Sequence, residues 1–171
     1  MNIKQAEKYG KFFTNSKGQD FYVLEYVTAD KVLVRFVDTG NEREILATSL
    51  YDGKVKDYMA RDKYSLARIG TNERGLSKTR EYKLWQRMLA RCYGSSAHPC
   101  YEGCSVAPEW LTFTTFREDI KQLPGYSDWL EDKGWALDKD SIVEGNKVYS
   151  PSTCQFLSQQ ENNKYRSYDH S

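Results

Sequence analysis

The feature that most constrains this chain is a change of hydrophobic period part-way along it. Between positions 11 and 50, β-prone residues come in four short runs: Lys11-Phe12-Phe13-Thr14, Phe21 to Val27, Val32 to Val37 and Glu44-Ile45-Leu46-Ala47. Ser16-Lys17-Gly18, Thr28-Ala29-Asp30 and Asp38-Thr39-Gly40-Asn41 separate them with turn chemistry. From Thr79 to Tyr93 the apolar residues return at helical spacing, with Trp85, Met88, Leu89 and Cys92 at i, i+3, i+4 and i+7. Runs of the first kind suit strands, which send alternate side chains to opposite faces, and runs of the second suit one stripe of a helix. The chain is therefore expected to be α+β, with a small antiparallel β-barrel-like module over 1–60, a basic connector over 61–78 and a helical segment beginning near 79.

A length of 171 residues suits one ordinary domain or two small ones, and 13 tyrosines and 4 tryptophans supply apolar surface that a disordered chain lacks. No run reaches the roughly 20 apolar residues of a membrane helix, and Met1-Asn2-Ile3-Lys4-Gln5 carries no signal core. The expected setting is the cytoplasm, with no membrane partner and reduced thiols.

The net charge of +1 hides an uneven distribution. Residues 61–95 carry nine Lys or Arg against three Asp or Glu, whereas 96–135 carry three against seven. A local field, not the total, draws phosphate, so the basic stretch points to DNA and the acidic one offers a surface for a protein partner. On the helix from 79, Arg80, Lys83, Arg87 and Arg91 fall on a stripe opposite the apolar one, a pattern suited to backbone phosphates. A second helix is expected over Thr112 to Leu123, ending before Pro124-Gly125, with Phe113, Phe116, Ile120 and Leu123 facing a core. Trp110, Trp129 and Trp135 are read as core residues in preference to base-stacking ones.

The carboxy-terminal stretch reads as strand, loop, strand and helix: Trp135 to Asp140, a loop at Glu144-Gly145-Asn146-Lys147, a strand around Thr153 to Leu157, and a helix opened by the capping box Ser158-Gln159-Gln160-Glu161. Regular alternation would put Asp138 and Asp140 on one side of their strand, with Asn162 or Asn163 facing them from the helix. Two carboxylates and a carboxamide oxygen suit Mg²⁺ or Mn²⁺. The same acids also suit a turn cap, and the asparagines a helix end. Cys92, Cys100, Cys104 and Cys154 offer a four-thiolate Zn²⁺ site in principle, but only Cys100-x3-Cys104 has a permitted short spacing, and buried thiols are the preferred reading.

Several linked motifs lie between 79 and 166: Trp85-x-x-Met88-Leu89-x-Arg91-Cys92-Tyr93, Tyr101-x-Gly103-Cys104-x-Val106-x-x-Glu109-Trp110, Leu137-Asp138-Lys139-Asp140, Gly145-Asn146-x-x-Tyr149-Ser150-Pro151-x-x-Cys154-x-Phe156 and Glu161-Asn162. Together they resemble the HNH-type endonuclease-like proteins common in bacteriophages, and the front half resembles the small β-rich, loosely SH3-like module often found ahead of such domains. The resemblance implies that 79–171 forms a ββα-metal unit that holds one divalent ion and cuts or nicks DNA, as a hydrolase of mobile or homing type. Asp138, Asp140, Asn162 and Asn163 would then be the metal ligands, Asp138, Lys139 and Asp140 the catalytic group, and Arg80, Lys83, Arg87, Arg91 and Lys147 the DNA contacts. Some HNH-like domains are also braced by zinc. The chain departs from the pattern where a histidine usually ends the first strand: the stretch there is Leu137-Asp138-Lys139-Asp140, and the only histidines are His98 and His170. A carboxylate with an ordinary pKa of about 4 serves as a base only if its surroundings raise that value. The rival expectation is a catalytically silent DNA-binding or protein-interaction module that keeps the scaffold.

Overall fold

A computed structural model describes residues 10–168, with side chains described as far as 164. The chain divides into two compact units, one reaching to Arg61 and including Gly70–Asn72, the other formed by Asp62–Ile69 and the chain from Glu73 onward. Residues 61–78 therefore do not stand apart as a connector: Ala67 is fully buried in the core of the second unit, and its neighbour Arg68 bridges to Thr112.

The first unit is an antiparallel sheet of β1 (Phe12–Thr14), β2 (Asp20–Tyr26), β3 (Lys31–Phe36) and β4 (Glu42–Leu46), paired in chain order. It is an open meander and not a closed barrel, because β1 and β4 remain its two edges. Phe21 pairs with Phe36 and Val23 with Val34, so the inward positions share one apolar face, closed by Phe13, Leu50 and Val55. The alternate positions form an outer row, Phe12 to Tyr22 to Arg35 to Glu42. A register shift between Val23 and Glu25 marks a bulge that adds twist.

The second unit holds the four helices found among the described residues: α1 (Arg80–Tyr93), α2 (Phe113–Ile120), α3 (Tyr126–Glu131) and α4 (Gln159–Tyr168). Its strands are short. β5 (Ser105–Val106) pairs in parallel with β7 (Val148–Tyr149), and β6 (Trp135–Asp138) pairs antiparallel with β8 (Gln155–Ser158). Thr79 caps α1 by accepting the Tyr82 N–H, and the apolar stripe of α1 buries Trp85, Met88 and Leu89 against Trp110, Phe113, Phe116 and Phe156. The indole N–H of Trp85 donates to the Trp110 carbonyl at 2.8 Å, and that of Trp110 to Asp119 at 2.9 Å, so each buried donor is satisfied. Trp129 is buried as well, stacked on Phe156. No helix among the described residues is long and apolar enough to cross a membrane.

Candidate active site

Pairing β6 with β8 brings Trp135 opposite Ser158 and Asp138 opposite Gln155, and α4 leaves directly from the end of β8. Ser158 closes the junction with the expected capping box: Glu161 accepts both its backbone N–H at 3.0 Å and its hydroxyl at 2.7 Å, and the Ser158 hydroxyl oxygen accepts the Glu161 N–H at 3.3 Å. α4 packs on both β6 and β8. The strand, loop, strand, helix order expected from the sequence is present, with shorter strands.

Asp138 and Asp140 do come together, but not by strand alternation. β6 ends at Asp138, whose Oδ2 accepts the backbone N–H of Asp140 at 3.2 Å and of Ser141 at 2.8 Å. This Asx turn reverses the chain and carries Asp140 back beside Asp138. The two carboxyl groups are close enough to influence each other and differ in acidity. Burial pushes Asp138 above the usual carboxylate range and the neighbouring Asp140 adds to this, although the Ser141 bonds work against it. Burial pulls Asp140 the same way, but the bond with Asp138 and the Lys139 ammonium more than offset it and hold Asp140 below its ordinary value.

Lys139 is one of the few buried charged residues, at 7% exposure. Its ammonium donates to Asp140 at 3.2 Å and to the Asn146 carbonyl at 3.1 Å, and lies 6.0 Å from the Tyr149 ring centre. Asn146 in turn donates to the carbonyls of Lys139 at 2.6 Å and Val148 at 2.7 Å, pinning both ends of the loop. Lys139 is thus committed to the loop, while Lys147 is exposed, its Nζ 3.4 Å from the Cys100 carbonyl.

The asparagines part company. Asn163 is exposed and its side-chain oxygen accepts from Gln159 within α4, while Asn162 is half-buried on the same helix. Among the described residues, no group of three or more His, Cys, Asp or Glu side chains is placed to hold a metal ion. Accordingly, no three of the cysteines gather around one point. Cys154 is buried beside Asp138 and Lys139, its thiol pushed up to about 12 by desolvation; Cys92 is half-buried near Cys104, its thiol pushed up to about 11; and Cys100 is exposed. His98 is exposed and caps a short turn, its Nδ1 accepting the Cys100 N–H at 3.3 Å, and His170 lies outside the described residues.

The cationic stripe of α1 is split. Arg80 donates to the carbonyls of Leu130 at 2.7 Å and Asp132 at 3.2 Å and lies over Trp129, clamping the end of α3. Arg91 is drawn inward: burial opposes its charge, and a hydrogen bond with the Tyr149 phenol and the Tyr101 ring 5.3 Å away more than compensate. Helical geometry put all four cations on one stripe, but carbonyls and aromatics at the two ends claim the outer pair. Lys83 and Arg87 remain exposed. In the acidic stretch, Asp119 is taken by Trp110 and Glu118 by Lys121 and Arg117, while Glu102, Glu109 and Asp128 face solvent.

One element had no signal in the sequence. Lys63 to Ala67 forms a tight hairpin in which Lys63 N–H donates to the Ala67 carbonyl at 3.1 Å and Leu66 N–H to the Lys63 carbonyl at 3.0 Å. Its central residues, Tyr64 (φ 52) and Ser65 (φ 58), are the two non-glycine residues at positive φ among those described. Each pays about 1–2 kcal/mol for that conformation relative to glycine. A Gly or Asn here would have announced the turn, and neither is present.

Comparison with protein-family models, with curated proteins and with solved structures finds no match to this chain.

Proposed function

We propose that the second unit is a divalent-metal-dependent DNA endonuclease or nickase of HNH-like, ββα-metal type. The observation that carries the reading is the Asp138 and Asp140 carboxyl pair at the end of β6, within a strand, loop, strand, helix arrangement. Two neighbouring carboxyls split in acidity offer oxygens for a cation, and Mg²⁺ needs only one or two protein carboxylates when waters and substrate phosphate complete its shell. Asp138 and Asp140 would hold Mg²⁺ or Mn²⁺, with Asn162 as a further oxygen donor. When bound, the ion supplies polarisation of the phosphoryl oxygen and stabilisation of the leaving oxygen. Lys139 positions Asp140 and the loop. Lys147 offsets charge on the phosphate, and Lys83 and Arg87 hold the DNA backbone.

A second reading, a silent DNA-binding or protein-interaction module on the same scaffold, is favoured by one observation: Asp138 already serves as a turn cap. Supercoiled-plasmid cleavage with Mg²⁺, Mn²⁺ or EDTA separates the two. The informative variant is Asp138→Asn, which retains an oxygen for the turn and loses the charge. The nuclease reading expects metal-dependent nicking abolished by EDTA and reduced about a hundredfold or more in the variant, as for loss of a positioned acid–base group. Intact plasmid with every metal, alongside retained DNA binding, favours the silent module.

A further inference from the structure

We propose that a cavity beside the middle of α1 binds one unpaired nucleotide of single-stranded DNA, with Tyr64 against the base and Lys63, Lys83 and Arg87 on the phosphate. The proposal deepens the DNA-binding part of that reading, which already gives Lys83 and Arg87 the DNA backbone, and because it concerns binding alone it can fail or hold whether or not the carboxyl loop cleaves.

The cavity has a volume of about 390 Å³ and is lined by Lys63, Tyr64, Lys83, Gln86, Arg87 and Leu89, with Ala90 at its edge. Among the described residues, no carboxylate lines it. Three cationic side chains therefore border one small space, Lys63 with its ammonium also 6.0 Å from the Tyr82 ring centre, an arrangement that favours an anion. The volume lies toward the lower end of the range for small-ligand sites, about 300–1,000 Å³, which suits a single nucleotide better than a stack.

The choice of a nucleotide over a bare anion rests on Tyr64. The residue is 45% exposed and its ring stands 6.3 Å from that of Tyr93, held by a turn whose backbone would be relaxed with glycine at that position. An aromatic kept at a strained position beside three cations offers a flat surface next to a phosphate site, the combination that single-stranded nucleic acids use. Gln86 adds a carboxamide that can both donate to and accept from a base edge. A duplex hides its base faces within the stack, so Tyr64 selects an unpaired nucleotide. Along α1, Arg87 lies one turn, about 6 Å, before Arg91, which meets Tyr149 beneath Lys139, so one helix joins the cavity to the carboxyl loop.

The test uses the full chain in EDTA, so that cutting plays no part, and reads fluorescence anisotropy of a labelled oligothymidylate, its duplex with oligodeoxyadenylate, and competition by inorganic phosphate. The single strand should bind more tightly than the duplex. Tyr64→Phe should bind as the wild type does, Tyr64→Gly should weaken binding about tenfold, and Lys83→Gln should lower the slope of log K against log salt by about 0.7. Tyr64→Gly should also raise the unfolding midpoint read by tryptophan fluorescence, because it relaxes the turn; affinity and stability then move in opposite directions, which a merely structural ring would not produce. Equal affinity for strand and duplex, an unchanged affinity in Tyr64→Gly, or displacement by millimolar phosphate alone would each overturn the proposal.

Discussion

The sheet unit and the helical unit bury their cores in opposite ways, and the difference explains where the chemistry collects. In the first, strands of up to seven residues pair in chain order and satisfy most of their own backbone. Its buried polar residues close turns: Asn15 accepts the N–H groups of Lys17 and Gln19, and Asp57 accepts from Asn41 and Met59. In the second unit the strands are two to four residues long, and aromatic side chains from helices and turns fill the interior. Short strands leave backbone groups for side chains to satisfy. Asp138, Asn146 and Ser158 do this at the strand ends, and Asp138 thereby draws Asp140 and Lys139 into one half-buried polar loop. Regularity in the first unit leaves few polar groups over; irregularity in the second gathers several of them in one loop.

The strongest way to break the comparison is to test whether the two cores are separate. All four tryptophans, Trp85, Trp110, Trp129 and Trp135, belong to the second unit, so indole fluorescence follows that unit while far-UV circular dichroism follows both. Trp85→Ala, at a fully buried position, should cost about 3–5 kcal/mol and also orphan the Trp110 carbonyl, shifting the fluorescence midpoint in denaturant. Phe36→Ala in the sheet, 1% exposed, should cost a similar amount by circular dichroism and leave the fluorescence midpoint in place. If Phe36→Ala moves the fluorescence midpoint along with the circular dichroism, the chain unfolds as one cooperative body and the contrast is one of style alone.

The same contrast governs what could be read from sequence. The four strands of the sheet were legible because alternation and turn residues agree, and α1 was legible because its apolar stripe repeats at helical spacing; that Thr79 caps it is seen in the structure. Barrel closure was not, since nothing local says whether β1 meets β4. In the second unit α3 was hidden because Pro124-Gly125 reads as a stop, although Gly125 at φ 77 caps the helix that follows. The Asp138 and Asp140 pairing was legible only as types in proximity; the Asx turn that makes it depends on β6 ending early. The fate of Arg80 and Arg91 depended on carbonyls and rings outside α1, most of them fifty or more residues away, which a helical wheel does not contain.

A smaller effect sharpens the comparison at two glycines with the same backbone. Gly18, in a turn of the sheet, and Gly125, at the start of α3, both have φ 77. A Cβ at Gly18 would meet nothing within 4 Å, whereas one at Gly125 would lie 2.5 Å from the Phe156 carbonyl oxygen and 2.9 Å from the Trp135 ring. Gly18→Ala should therefore cost only the conformational term, about 1 kcal/mol, and Gly125→Ala that term plus a backbone displacement, about 3 kcal/mol in all. Thermal unfolding of the two variants reads the difference. Equal costs would mean that the packing around Gly125 gives way and that the second core is looser than its aromatic contacts suggest.

The smallest effect lies in the carboxyl loop, where sign matters more than size. Burial, with Asp140 adding to it, raises the Asp138 pKa in the folded chain above its unfolded value. Between those two values the folded state binds more protons than the unfolded one, so stability falls as pH rises through that window and levels off above it. Asp140, held low, acts in the opposite sense: its contribution is present above its ordinary value and fades only as pH falls through its lower folded one. Asp138→Asn keeps the turn oxygen and removes the charge that burial penalises, so it should match the wild type at low pH and become the more stable chain towards neutrality, even as plasmid nicking falls. Urea unfolding across a pH series tests this. A variant less stable than wild type at neutral pH would mean that the charged cap is worth more to the fold than its burial costs, and the loop would then obey the same structural logic as Asn15 and Asp57 in the sheet.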